Sequence, residues 1–415
     1  MIDRSLARVV ALWVVITVAV RALWLAHVPP VATWDGAIYA RTALRIARGM
    51  GFVDTWNNLP PFKPTAFYPV GYPALLGFGH MLAGPTPWVA GALNVISAAV
   101  TVACVVWLAR RAYDRMACVH VAAALYAFSP GLIAYTSAFM TETVSGAVLA
   151  LAVVAAALHA RSGSRLAAVA MGLLLGGGGL IRPQALLLAP LFAWVAAPSR
   201  TWRARATTMF LVGVATCAVV LPWTARNCRK LDGCALVSVN GGSNLWIGAD
   251  PRAEGGYRDL RPGEGCDRVH GEVAKDRCYG ALAMRRIREN PWGWASLVPA
   301  KLRVTLDYEY TPASYLVSAG ALPNERLDTF ARRCTAWHRL MCALALLALM
   351  AYFPRRGMTR EAGLSLAAVL GNLAVHAIFF GVDRYHFLFA PFVAVLAGGV
   401  VASLRSPRAV AAPAA

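Results

Sequence analysis

A polytopic all-α membrane protein is the fold class the sequence predicts, and three observations predict it. The 415 residues are 58% hydrophobic and only 14% charged, with a mean hydropathy of +0.54, whereas about a quarter of a soluble domain is charged. Apolar stretches recur at residues 9–28, 88–109, 116–136, 143–160, 166–181, 184–198, 207–224, 335–353, 362–380 and 386–403. Most approach the roughly 20 residues that cross a bilayer, and 166–181 and 184–198 form a short pair. Arginines fall at every second connection between them, the pattern of cytoplasmic loops. The expectation is about ten transmembrane helices with both termini in the cytoplasm, which excludes an ordinary soluble enzyme.

The formal charge of +20 would raise the question of nucleic acid in a soluble chain. Only Lys63, Lys230, Lys275 and Lys301 are lysines, and no basic run exceeds two residues, unlike a nucleic-acid-binding tail. Arg4 and Arg8; Arg110, Arg111 and Arg115; Arg161 and Arg165; Arg200, Arg203 and Arg205; Arg355, Arg356 and Arg360; and Arg405 and Arg408 supply 15 basic residues at the cytoplasmic connections. Against three acids there, Asp3, Asp114 and Glu361, they leave a net +12 that is a topology signal. The first helix lacks a small-residue cleavage site and precedes many spans, so it reads as an anchor rather than a signal peptide.

Three parts follow. Residues 1–225 form an N-terminal transmembrane catalytic module with a first outer loop at 29–87, residues 226–334 an extracytoplasmic segment, and residues 335–415 the C-terminal helices. The second segment carries 13 acids and 17 basic residues, so it is water-exposed, and it reads as small and mixed in secondary structure. Gly241-Gly242 and Gly255-Gly256 mark turns, Ala274–Glu289 reads as a helix, and an amphipathic stretch from Asn290 puts Lys301 and Arg303 at the bilayer surface. An oxidising compartment would permit Cys228/Cys234 and Cys266/Cys278 disulfides. No paired CxxC spacing suggests a structural zinc site.

In the first loop, Asp35 marks the boundary between the apolar span and an amphipathic helix over Ala37–Met50. That helix sets Arg41, Arg45 and Arg48 opposite Tyr39, Ala43, Ile46 and Met50, as expected for one lying on the membrane surface. Asp35 is either an N-cap accepting free backbone N–H groups or a functional carboxylate. Acids are sparse on this side, with only Asp54 and Glu142 besides it before residue 226. Gly49-Met50-Gly51-Phe52 and then Phe62-Lys63-Pro64 to Tyr68-Pro69-Val70-Gly71-Tyr72-Pro73 exclude a regular helix and place aromatics at the interface.

The order Asp35-x-x-x-Tyr39, Gly-x-Gly-Phe and Tyr-Pro-x-Gly-Tyr-Pro resembles the GT-C membrane glycosyltransferases. It is most similar to bacterial relatives of the protein O-mannosyltransferases and of the lipid A aminoarabinose transferases. Thr141-Glu142, Leu180-Ile181-Arg182-Pro183, Leu221-Pro222-Trp223-Thr224-Ala225-Arg226-Asn227, Asn240-Gly241-Gly242-Ser243-Asn244-Leu245-Trp246-Ile247-Gly248 and Asp383-Arg384-Tyr385 continue it in order over nearly the whole chain. The family often carries two adjacent acids in this loop, whereas here Gly36 follows Asp35. This chain is also shorter at its C-terminal end than members with eleven or more spans.

The resemblance implies a GT-C fold and a sugar moved from a polyprenyl-phosphate donor to an acceptor hydroxyl, on protein, lipid or glycan, at the outer face of a bacterial inner membrane. The transfer would be a direct displacement with inversion. Such chemistry asks for a base at the acceptor and cations at the departing phosphate, and needs no general acid because phosphate already leaves well. Asp35 would be the base. Lys63, Arg182 and Arg384 would bind the donor phosphate, although Lys63 equally reads as a lysine snorkelling to headgroups and the arginines as partners of Glu142 and Asp383. Glu142 would hold a divalent cation or the phosphate, or merely complement a helix dipole. Tyr39, Tyr68, Tyr72, Asn244, Trp246, Tyr257 and Tyr385 are contacts by residue type. His27, His80, His338, His376 and His386 lack the i, i+4 spacing of a helical metal pair and read as interfacial or packed. A lipid or sugar transporter or flippase would call for inverted repeats, and none is visible; a non-catalytic envelope assembly subunit would keep the fold without the chemistry.

Overall fold

The computed structural model describes residues 4–53 and 61–403. Asp3, Asp54, Arg405 and Arg408 lie outside the described residues. Among the described residues, six helices are long and apolar enough to cross a membrane: Arg4–His27, Trp88–Ala112, Glu142–Ser162, Trp202–Lys230, Asn324–Arg356 and Arg360–Ile378. Met116–Ala127 and Pro130–Ser137 make a seventh if their 50° bend lies within one span. Arg165–Ile181, Gln184–Val195 and Ala390–Ala402 are shorter apolar helices. The expected order of apolar elements is kept, but as six or seven full-length helices and three short ones.

Local chemistry explains where these elements start and bend. Ser164, Thr201 and Thr359 each cap a helix by accepting from the backbone N–H three residues on, at Ala167, Ala204 and Ala362, which satisfies donors the helix leaves free. At the bend, Pro130 has no N–H to continue the ladder. Arg21, 1% exposed, donates Nη1 to the Ala127 carbonyl beside it at 3.2 Å, so a cation within the first helix answers an acceptor released by the break. The glycine run lies inside the continuous Arg165–Ile181 helix, where Gly176 admits the Trp202–Lys230 helix to close approach.

The C-terminal helices join the N-terminal ones in a single core. Phe392, Ala394 and Val395 are fully buried in the same apolar cluster as Val102, Val105, Cys118 and Met341. Residues 335–403 therefore complete the N-terminal bundle and do not form a body of their own.

Among the described residues the outer segment contains no strand. Its elements are the helices Gly241–Ala249, Glu272–Glu289, Pro291–Ala295, Val298–Leu306 and Tyr310–Ser318, so the mixed structure expected there is replaced by helices and irregular chain. Disulfides Cys228–Cys234 and Cys266–Cys278 staple the irregular parts. Glu272 accepts from Thr65 Oγ1 at 2.6 Å and the Ala66 N–H at 3.0 Å, and Arg226 donates to the Thr65 and Phe52 carbonyls. The second segment is thereby tied to the first outer loop.

Two cations read as surface groups are buried. Lys301 is 0% exposed and donates Nζ to the carbonyls of Ala377 and Ile378, capping the end of a helix instead of facing lipid headgroups. Arg45 is 8% exposed, with its guanidinium 3.9 Å from the centroid of the Phe62 ring. The Asp35–Ala47 helix does not lie free on the membrane, because it packs against Gly71–Ala83 through Ala43 and Ile46 at Gly77.

Candidate active site

Asp35 opens the Asp35–Ala47 helix, and the cap position before it is Trp34, which makes no side-chain cap bond. Its carboxylate is instead taken by Tyr68, whose Oη donates to Oδ1 at 2.9 Å, and by Arg384, whose Nη2 donates to Oδ2 at 3.1 Å. The N-cap reading of Asp35 therefore gives way to a charged cluster.

Trp34 has φ 51°, ψ −130° and is the one non-glycine residue with positive φ among the described residues. Such backbone costs about 1–3 kcal/mol and persists only where the surroundings impose it. Here they do: the Tyr315 hydroxyl donates to the Val31 carbonyl at 2.6 Å and accepts from the N–H groups of Phe139 and Thr33 at 3.0 and 3.4 Å. Its ring meets Trp34 edge-on at 5.6 Å. Sequence reasoning missed Tyr315, since nothing local at residue 315 signals a partner more than 280 residues away.

Gly36 explains why two adjacent acids cannot stand here. A Cβ at position 36 would lie 2.7 Å from the Phe139 carbonyl oxygen and 2.8 Å from Phe139 Cβ, so a second acid has no room beside Asp35.

Glu142 starts the Glu142–Ser162 helix and is 1% exposed. Arg182, from the connection between two short helices, donates Nη1 to Glu142 Oε1 and to Thr141 Oγ1, both at 2.9 Å. Arg384 reaches the same Oε1 through Nε at 3.5 Å. Both guanidiniums lie over the Tyr385 ring, at 4.8 and 5.9 Å, and His376 stacks on the same ring at 4.5 Å. Asp35, Arg384, Glu142 and Arg182 thus form one chain of alternating charge. Both guanidiniums meet Glu142 Oε1, where they would repel a divalent cation, while its Oε2 is buried with no hydrogen-bond partner.

The remaining expected contacts separate. Tyr385 and Tyr68 join the cluster. Burial, and then the negative charge of Asp35, hold the Tyr68 hydroxyl above its ordinary pKa, so it remains a proton donor. Tyr39 and Tyr72, 7% and 0% exposed, stack edge-on behind Tyr68 and Tyr39 respectively and serve as backing for the site instead of as contact surface. Tyr257, 60% exposed, packs on Phe380 and donates its hydroxyl to Asp259 Oδ1 at 2.9 Å.

Three residues are not brought in. Lys63 is exposed and makes no polar contact with the cluster. Trp246 donates its indole N–H to Glu264 at 2.8 Å, and Asn244 is a residue of the same Gly241–Ala249 helix whose N–H goes to the Asn240 carbonyl. That helix is held by Asp276, which accepts from Gly242 and Ser243, so its polar groups face the outer segment.

Residues 68–225, which include Tyr68, Glu142 and Arg182, match the model of the dolichyl-phosphate-mannose-protein mannosyltransferase family. The chain is also similar to the crystal structure of ArnT from Cupriavidus metallidurans in the apo state, at 15% identity over 96% of this chain and 78% of that one, with a TM-score of 0.44. For ArnT from the same organism bound to undecaprenyl phosphate the values are 13%, 95%, 78% and 0.42. No curated protein sequence matches the chain significantly. The family match takes in Tyr68, Glu142 and Arg182 of the cluster and falls within the run of motifs that carries the resemblance along the sequence.

Proposed function

We propose that this protein transfers a hexosyl or pentosyl unit from a polyprenyl-phosphate carrier to an acceptor hydroxyl at the periplasmic face of the bacterial inner membrane, with inversion at the anomeric carbon. The single observation that carries the reading is the relay Asp35–Arg384–Glu142–Arg182, a base and two phosphate-seeking cations joined through one buried carboxylate.

In this mechanism Arg384 is shared between Asp35 and the donor. An arriving phosphate competes for its guanidinium, which suits a planar, multiply donating cation, and frees Asp35 to accept the acceptor proton. The acceptor oxygen attacks the anomeric carbon, the carbon–oxygen bond to the phosphate breaks, and the carrier departs with added negative charge. Arg384 and Arg182 stabilise that charge where it develops. Glu142 aims both arginines. Tyr68 orients Asp35 through its hydroxyl, while the acceptor, whether protein, lipid or glycan, approaches under the outer segment.

Asp35→Asn, which keeps the shape of the side chain, is the test. With purified polyprenyl-phosphate sugar and envelope acceptor, transfer of labelled sugar should fall by about 10²–10⁴-fold while membrane insertion and thermal stability hold. Undiminished transfer by that variant would overturn the assignment of the base.

A further inference from the structure

A second buried cluster lies beside the relay without sharing its residues. Glu309, His338 and His386 are 2%, 4% and 1% exposed, and one ligand atom from each falls within 4.8 Å of the others. They come from three places: the turn before Tyr310–Ser318, the middle of Leu327–Ala351, and the 3-10 turn Asp383–Leu388.

The hydrogen bonds leave the cluster short of one positive charge. His386 Nδ1 lies 3.0 Å from the Thr305 carbonyl, which can only accept, so the proton is on Nδ1. Its Nε2 lone pair then faces Glu309 Oε1 at 2.9 Å, acceptor against acceptor. His338 Nδ1 is 3.9 Å from the same oxygen, and its Nε2 faces Cys342 Sγ at 3.6 Å. Glu309 Oε2 is buried with no hydrogen-bond partner. A shared proton would join His386 to Glu309 and leave both His338 Nδ1 and Oε2 unanswered. A dication answers all of them at once.

We propose that Glu309, His338 and His386 form a zinc site. Two histidines and a carboxylate with water or the second Glu309 oxygen in the fourth position suit Zn²⁺. Ligands about 2.0–2.1 Å from a tetrahedral zinc stand roughly 3.3 Å apart, so 2.9 Å opens slightly and 3.9 Å closes slightly. His386 already uses the Thr305 carbonyl to fix its orientation, the outer-shell pattern typical of zinc ligands. The ligands are 29 and 48 residues apart in sequence, which is why no spacing motif announces them. The ion staples the Asp383–Leu388 turn, and hence Arg384 and Tyr385, to two other elements; its role is positional.

The test reads metal, not sugar transfer, so it stands or falls independently of the transferase mechanism. Tag-free protein is purified in detergent, incubated with Zn²⁺, desalted and measured by inductively coupled plasma mass spectrometry. The expectation is about one zinc per chain, a Co²⁺-substituted form with visible d–d absorption, and at least about tenfold less bound metal in Glu309→Gln and His338→Asn. If a variant fails to insert, the Co²⁺ spectrum of the unmutated protein decides. An unmutated, monodisperse protein that retains no zinc and gives no Co²⁺ spectrum overturns the site and assigns the cluster to a shared proton.

Discussion

Two ion networks on the outer side use the same residue types and are built to opposite ends. In the outer segment, Asp250 and Glu264 face Arg252 and Arg258, and every carboxylate oxygen is answered. Asp250 Oδ1 accepts from Arg252 N and Nε, and its Oδ2 from Arg252 and Arg258. Glu264 Oε1 accepts from Arg252, Arg258 and the Arg261 N–H, and its Oε2 from Trp246 and Arg258. In the relay, by contrast, the carboxylate oxygen Glu142 Oε2 is buried without a hydrogen bond, whereas an unpaired arginine Nε is common to both networks, at Arg384 and at Arg258, and Asp35 has a side chain 31% exposed with one bond to each oxygen. A network whose carboxylates are all answered is a staple. A network with an open carboxylate oxygen can take a further hydrogen-bond donor there, such as a sugar hydroxyl, because buried polar groups left open cost free energy until something pairs with them.

Breaking the same bond type in each network should separate the two roles. Glu142→Gln leaves Arg182 and Arg384 without their shared anion and misaims both, so transfer should fall by about 10²–10³-fold, the usual loss for one preorganised electrostatic partner. Glu264→Gln should instead cost roughly 1–3 kcal/mol of local stability, with transfer nearly unchanged at low temperature. Activity assays beside limited proteolysis of the outer segment check both; equal activity loss in the two variants would erase the distinction. Acid sharpens it further. Despite a burial cost that acts upward, the Arg258 and Trp246 hydrogen bonds hold Glu264 down at about 2, below its ordinary value. Its stabilisation is complete above the unfolded pKa of about 4.3 and is lost as pH falls toward 2.

A subtler lesion tests how much the relay depends on backbone placement. Gly36→Ala adds a Cβ that would meet Phe139 backbone and side chain at 2.7–2.8 Å, neither of which is a flexible tip. The start of the Asp35–Ala47 helix must shift, and displacement of a reacting group by an ångström can cost about 10²-fold. Reduced turnover with unchanged membrane insertion is expected; full turnover would mean that Asp35 tolerates movement and is not held in register.

How much of this could be read along the chain depends on how far apart the causes lie. Helix order was legible because apolar length and arginine alternation are local. Asp35, Arg182 and Arg384 were legible because a charge at a membrane boundary is expensive enough to stand out singly. Lys301 and Arg45 misled for the same reason: amphipathic patterns do not reveal that Ala377, Ile378 or Phe62 will close over the cation. Lys63 carries the right charge in the right loop, but nothing local states that the loop turns it outward. Tyr315, Glu309 and the two histidines were illegible because their partners are 26 to 284 residues away, and only the folded bundle brings them together.

Tyr68→Phe is the mildest cut into the relay. It removes the hydroxyl that donates to Asp35 Oδ1 and keeps the ring that packs on Tyr39 and Phe67, so packing is preserved and one bond to a charged acceptor is lost. Hydrogen bonds to charged groups contribute about 1.5–3 kcal/mol, but Arg384 still holds the other oxygen, which puts the expected effect near the low end, about tenfold in rate. The loss should appear in turnover more than in donor affinity, since Tyr68 orients the base while the arginines meet the phosphate. A rise in donor KM with unchanged turnover would instead put the Tyr68 hydroxyl on the sugar phosphate. In the comparison of networks, that outcome would move Tyr68 from the group that holds Asp35 to the group waiting to be filled.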